Sequence, residues 1–383
     1  MKIENVKIYT MEAEHGIIES GYVCVENGKI TEIGKCDGDG SNGWLIPGII
    51  DAHTHIGLLE DGLTFEGDDI NETNDPALPQ LRGIDAINPF DRAFEEAREN
   101  GITCVAAGPG SANPIGGQFC ILKTYGKRVD KMVIKEPAAV KFALGENPKN
   151  VYHGKNQMPE TRMATASIIR DNLYKALKYS TALDKANEID ENGEPNGDEP
   201  DFDLKLEALL PVVKGEIPAH FHAHRADDIF TAIRIAREFK IKLVLIHCTE
   251  GHLIADELVE EDVTAVVGPN LCDRSKPELR SLTFDNPRIL DQAGVKICLT
   301  TDHPVIPVYY LPLCAVLAVK SGMDAYNALK AITINPAEIL GVDDRIGSIK
   351  VGKDADLVLY DGNPLDVQSK IKNVWINGEA IKK

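Results

Sequence analysis

IPAHFHAHRADDIFTAIRIAREFKIKLVLIHCT, residues 217–249, reads as strand, helix, strand. Ile217–His224 and Lys242–Thr249 are short runs dominated by apolar side chains. Between them Ile229, Ala232, Ile233 and Ala236 recur at three- and four-residue steps, which places them on one face of a helix. Two strands joined by a helix imply a parallel pair. The same alternation runs from about residue 48 to 345, with further candidate strands at Leu45–His55, Ile102–Gly108, Phe119–Tyr125, Ala138–Glu146, Val263–Gly268 and Val295–Asp302. Another helix is expected in NPFDRAFEEAREN, opened by Pro89, with Phe90, Ala93, Phe94 and Ala97 on its apolar face and Gly101 as its stop. Eight strands in this pattern predict an α/β fold, a (β/α)8 barrel over residues 48–346. A doubly wound open sheet is the alternative.

The ends differ from the middle. Residues 1–47 hold short alternating strands with an Asn27-Gly28 hairpin turn, and residues 347–383 repeat the pattern around Asn377-Gly378. Neither end has enough apolar surface to fold alone, so the two are expected to pair into one small β-sandwich domain. Leu183–Phe202 is acidic and almost free of apolar residues, which predicts a solvated loop between the fourth and fifth barrel strands.

Over 383 residues, 41 Lys and Arg stand against 60 Asp and Glu, a formal charge of −19. That balance argues against binding to nucleic acid or to a membrane surface, both of which need clustered cations. The eight cysteines contain no CxxC pair, so reduced, structural thiols are expected. The amino-terminal residues lack the apolar core of a signal peptide, and the longest apolar run, Val308–Val319, is too short to span a bilayer. A cytoplasmic protein acting on a small-molecule substrate is expected, with assembly into a homo-oligomer left open.

The residues able to do chemistry fall at expected carboxyl ends of strands, where barrel enzymes build their sites. His53 and His55 in DAHTHIG share one side of the first strand. His222 ends the fifth strand, His247 the sixth, and Asp302 in LTTDHP the eighth. A lone strand-end histidine is more often structural than functional. Four converging with an aspartate predict a metal site, and imidazole with carboxylate suits zinc, manganese or iron better than calcium. In AHFHAHR, His220, His222 and His224 alternate onto the same face, so periodicity does not separate them. On the fourth strand, VKFALGENP offers Lys141 and Glu146, and Glu146 can bridge or ligate directly as a carboxylate. The glycine-rich loop Gly108–Gln118 and the polar run Tyr152–Arg162 are candidate substrate contacts, Gln118 among them.

PGIIDAHTH, HAHRADDI, the His247 strand, TTDHP and the closing GSIKVGKDADLVLYDGNP resemble the amidohydrolase superfamily, and within it the imidazolonepropionase-like and metal-dependent prolidase-like branch. The resemblance implies a barrel with a bipartite β domain and one or two divalent transition metal ions, zinc first and manganese or iron as alternatives. It makes His53 and His55 ligands of one ion, His222 and His247 ligands of a second, and Asp302 a ligand that also moves protons. It favours His222 as the ligand with His224 as the runner-up, His224 otherwise being a candidate substrate contact. It aligns Lys141 with a lysine that becomes carboxylated in prolidase-like relatives; Glu146 is the preferred anionic ligand. His252 and Arg225 are the remaining candidates for substrate or oxyanion binding. The expected reaction is hydrolysis of a C–N bond in an amide, cyclic amide or dipeptide. Deamination of a heterocycle is the alternative, disfavoured because Arg225 stands where deaminase relatives carry a glutamate. A non-enzymatic scaffold is the third reading.

Overall fold

The computed structural model describes residues 1–381 apart from 61, 63, 190 and 192–194. Four strands open the chain: β1 (Lys2–Tyr9), β2 (Ile17–Glu26), β3 (Lys29–Lys35) and β4 (Trp44–Pro47). Eight follow: β5 (Ile49–Thr54), β6 (Ile102–Ala107), β7 (Ile115–Lys123), β8 (Val133–Ala143), β9 (Ala219–Ala223), β10 (Leu243–His247), β11 (Thr264–Val267) and β12 (Lys296–Leu299). Three close it: β13 (Leu357–Tyr360), β14 (Ile371–Ile376) and β15 (Glu379–Ile381). β5 to β12 form one eight-stranded sheet in chain order, and the remaining strands form a seven-stranded sheet ordered β15-β14-β13-β4-β1-β2-β3. The ends of the chain therefore do assemble with each other, hydrogen-bonded as a single sheet with its own apolar core around Val6, Val23, Leu45 and Trp375.

The first expected strand, Leu45–His55, is two. Its opening residues pair as β4 in the terminal sheet, and the chain turns at Gly48 into the barrel. A side chain at Gly48 would collide with Thr103 on β6, so glycine permits this close approach.

The all-parallel expectation fails at β7, which pairs antiparallel with both β6 and β8. The segments on either side are too short for crossovers, which need a dozen or more residues and usually a helix. The first is an irregular segment of seven residues between Ala107 and Ile115, and the second carries a single helical turn at Val129–Met132. The expected helix after residue 88 also starts later, at Arg92, because Asp91 caps it by accepting from Ala93 N (3.1 Å). Phe90 lies before that cap and is exposed, while Ala93, Phe94 and Ala97 are buried.

The sheet is nearly closed. No ladder joins β12 to β5; mainly side chains close the seam, with one backbone hydrogen bond beyond the strands. The Asp51 carboxylate on β5 accepts from Thr300 Oγ1 (2.6 Å), Thr301 Oγ1 (2.6 Å) and Thr301 N (3.1 Å), and His55 N donates to His303 O (2.8 Å). The acidic stretch lies between β8 and β9 as expected, although Leu183–Asn187 completes the long helix Arg162–Asn187. Residues 190 and 192–194 of that stretch lie outside the described residues. Among the described residues no helix is long and apolar enough to cross a membrane.

Candidate active site

His53 and Lys141 point inward from β5 and β8, His220 and His222 from β9, and His247 ends β10. His55, His224 and Asp302 lie just beyond their strands. All of these histidines are buried, and the ring centroids of His222, His224 and His247 stand 4.4–4.7 Å apart. Two groups of donor atoms converge: His222, His224 and His247, and His53, His247 and Asp302. His247 belongs to both. Asp302 Oδ1 is 3.3 Å from His55 Nε2 and 3.6 Å from His53 Nε2.

Depth separates what periodicity left together. His220 pairs with Lys141 in the β8–β9 register and rests against Phe119, one layer below His222 and His224. His222 and His224 are both within reach of His247, so His224, the second choice from the sequence for this ligand, has the same claim as His222 to ligate.

For three of the rings, hydrogen bonds at the far side fix which nitrogen faces the centre. His55 Nδ1 donates to Gly108 O (2.7 Å) and His247 Nδ1 to Gly268 O (2.7 Å), leaving each Nε2 as an acceptor. His224 Nδ1 contacts Thr249 Oγ1 at 2.7 Å. Burial holds His53, His222 and His224 well below the ordinary imidazole range and brings His247 to about 4, so these rings are neutral at pH 7. Neutral imidazole is the ligating form. Asp302 and His247 have positive φ (53° and 75°), a conformation side chains adopt at a cost and one that clusters at functional sites.

The donor set fits a divalent transition ion on one structural ground. His53 Nδ1, both nitrogens of His222 and Asp302 Oδ1 are buried with no hydrogen-bond partner. Orphaned polar atoms at this density are costly unless something else satisfies them.

Lys141 is buried, with Nζ 2.8 Å from His53 Nε2, and burial brings its amine down to about 7. Glu146 does not join the imidazoles. It begins the helix Glu146–His153 rather than ending a strand, and it bonds Glu278: Glu146 N donates to Glu278 Oε2 (3.0 Å) and Glu278 N to Glu146 Oε2 (3.3 Å). Besides Asp302, the carboxylate that approaches the histidines is Glu278, on the turn Pro277–Leu279. KPELRS carries no periodicity or motif that singles Glu278 out.

Above the centre opens a cavity of about 620 Å³ lined by His55, His222, His224, Lys276, Asp302 and the Gly110–Ala112 turn, among others. The glycine-rich loop thus does reach the cavity. Gln118 does not, because it lies on antiparallel β7 and its amide donates to Pro79 O (3.1 Å). Arg225 forms an ion pair with Asp227 (2.8 Å), and His252 sits on the turn Gly251–Leu253; neither lines the cavity. The run Tyr152–Arg162 is likewise engaged elsewhere: Tyr152 with Asn113, Lys155 with Thr73, and Arg162 with Asp228.

A barrel carrying a His–Asp centre at its mouth, beside a sheet made from both ends of the chain, has close counterparts. The crystal structure of an amidohydrolase from Thermotoga maritima MSB8 superposes with a TM-score of 0.93 at 41% identity, covering 100% of this chain and 99% of that one. Residues 211–381 match the Amidohydrolase family. The chain belongs to the amidohydrolase family, whose members hydrolyse carbon–nitrogen bonds. The amidohydrolase tasK of Hapsidospora irregularis is 28% identical over 94% of this chain, which spans 40% of that protein's length. An imidazolonepropionase of Shewanella baltica (strain OS185) is 25% identical over 93% of this chain and 91% of its own.

Proposed function

We propose that this protein is a metal-dependent hydrolase that uses water to cleave a C–N bond of an amide, cyclic amide or dipeptide. One observation carries the reading: neutral imidazoles and a carboxylate, with donor atoms left unpartnered, converge at the floor of an open cavity. His53, His55, His222, His247 and Asp302 would hold one or two ions, zinc first, with His224 in reach of the same centre. A bound ion of this kind lowers the pKa of water and polarises a carbonyl. Lys141 as an ammonium would oppose a cation. At about 7 much of it is neutral amine near physiological pH, the form that adds carbon dioxide and loses a proton to become an anionic carbamate.

Asp302 supplies the proton transfer. Burial pushes its carboxyl up, but His247, His55 and Lys141 outweigh that and hold it below the usual carboxylate range, so it is ionised at neutral pH. Placed at the cavity floor, it can accept a proton from the attacking water and return it to the leaving nitrogen. Thr300 Oγ1 accepts from Asp302 N (3.1 Å) while donating to Asp51, which fixes the backbone that carries the base. Arg225, paired with Asp227 away from the cavity, puts no proton donor where a deaminase would need one.

Asp302→Asn should lower kcat by about 10²–10⁴-fold on whichever of N-acyl amino acids, dipeptides and cyclic ureides the protein turns over, with its far-ultraviolet circular dichroism retained. Undiminished turnover would remove the proton-transfer role. Protein purified without chelator that holds less than about half an equivalent of transition metal, and gains no activity from zinc, manganese or iron, would defeat the whole reading.

A further inference from the structure

We infer that Glu278 is itself a metal ligand: it adds a carboxylate to His222 and His224 in a site for a divalent transition ion, next to the His53 and Asp302 donors, the two groups sharing His247. The inference rests on the metal-dependent reading above and adds a carboxylate that comes from a loop rather than from any strand end.

Glu278 is fully buried, a position where an ionised carboxylate must be compensated. Its two oxygens have different surroundings. Oε2 accepts Glu146 N, and Glu146 returns the bond to Glu278 N, so the side chain is braced against its own backbone. Oε1 has Lys276 as its ion-pair partner and lies 3.6 Å from His222 Nε2 and 3.6 Å from His224 Nε2. That spacing is too long for hydrogen bonds. It matches the distance between neighbouring ligands of a tetrahedral zinc, roughly 3.4 Å for N and O donors at about 2.1 Å. Thr249 holds the far nitrogen of His224, and both nitrogens of His222 are unpartnered, so two imidazole lone pairs are available to one ion, with Oε1 joining them once Lys276 withdraws.

The other neighbour of Oε1 is Lys276, with Nζ at 2.6 Å, which also reaches Asn147 Oδ1 at 2.9 Å. Lys276 lines the cavity and keeps 28% of its side chain exposed, so it can withdraw. Its ammonium and a metal ion compete for the same oxygen.

The test is Co²⁺ loading of the full-length protein, following stoichiometry, affinity by chelator competition and the visible absorption that reports the ligand set. Glu278→Gln should weaken one Co²⁺ by more than about 100-fold, beyond what a residue that only orients a ligand costs, and should change the visible bands. Lys276→Met should keep the stoichiometry and tighten that same ion by about tenfold or more as a nearby positive charge is removed. A folded Glu278→Gln protein with wild-type visible bands overturns the inference whatever its affinity. If Glu278→Gln does not fold, Lys276→Met decides, and an unchanged affinity overturns it. A wild-type protein that takes up neither cobalt nor zinc defeats the metal-dependent reading itself. A loaded wild type beside an unaltered Glu278→Gln defeats only Glu278.

Discussion

Lys141 is enclosed on β8 between His53 and the ring of Phe119, and its burial carries a cost that depends on pH. In the unfolded chain its amine titrates near 10.5, whereas burial brings it to about 7 in the fold. Between those values the unfolded chain binds more protons, so stability rises with pH across that window. Lys141→Met should therefore make the metal-free protein more stable at pH 7 by about 4 kcal/mol, with the gain shrinking to about 1 kcal/mol by about pH 9.5. Urea midpoints of both proteins at the two pH values measure this, and an equal difference at both would contradict it. The contrast between Lys141 and Glu278 also marks how far sequence reading reaches at this scale. Lys141, His53, His222, His247 and Asp302 are legible because each stands in or just beyond an apolar strand, whose period fixes where its side chain points. Glu278 follows β11 on an irregular loop, and only the folding of that loop against Glu146 brings it to the histidines. Periodicity assigns a face but not a depth, which is why His220, His222 and His224 could not be told apart.

At the level of elements, the reversal of β7 has a consequence at the opposite end of the barrel. Running against its neighbours, β7 delivers Lys123 to the end where β5 and β6 begin, next to the terminal sheet. There Lys123 pairs with Asp356 and lies 3.1 Å from Asp354, which also meets Lys29 (2.6 Å) and Arg345 (2.9 Å). Removing one partner of a buried pair strands the other charge, so Lys123→Met should cost about 3 kcal/mol, the low end because Lys29 and Arg345 remain beside Asp354. Burial pushes the Asp354 carboxyl up, but Lys123, Lys29 and Arg345 outweigh it and hold it below the usual range. Its contribution is therefore present above the unfolded carboxylate pKa of about 4 and is lost as pH falls through the lower folded value. Urea midpoints at about pH 7 should fall in Lys123→Met, and Asp354→Asn should lose part of the wild-type drop between pH 7 and 3. An unchanged midpoint in Lys123→Met would mean the network does not hold the two sheets together. The eight strands themselves were legible from alternation. The reversal was not read, although the short segments flanking β7 leave no room for a crossover helix.

For the whole molecule, the pairing of the two ends was legible because each carries strands but too little apolar surface to stand alone. The charge of −19 said nothing of the centre, where histidines and Lys276 gather beneath the cavity. What no linear pattern reveals is that the barrel is left without a ladder between its first and last strands. Asp51 spans that seam, and the candidate ligands lie on both sides of it: His53 and His55 with β5, Asp302 beyond β12, and His222, His224 and His247 across the mouth. An ion shared among these donors would tie the ends of four strands together, including the two that no backbone ladder joins. Because it binds the folded chain and not the unfolded one, it should stabilise the protein by about 4 kcal/mol at a free concentration 1,000 times its dissociation constant. Stripping the protein with chelator should accordingly lower its thermal midpoint, and restoring zinc should recover it. In Asp302→Asn, which removes the donor on the β12 side of the seam, the gap between stripped and loaded protein should narrow. Scanning calorimetry at one fixed scan rate compares the four samples fairly, since large proteins often unfold irreversibly. A wild type whose midpoint ignores the chelator, after metal analysis proves the ion gone, would show that the seam is held without the ion, by the Asp51–threonine bonds and the His55–His303 backbone bond.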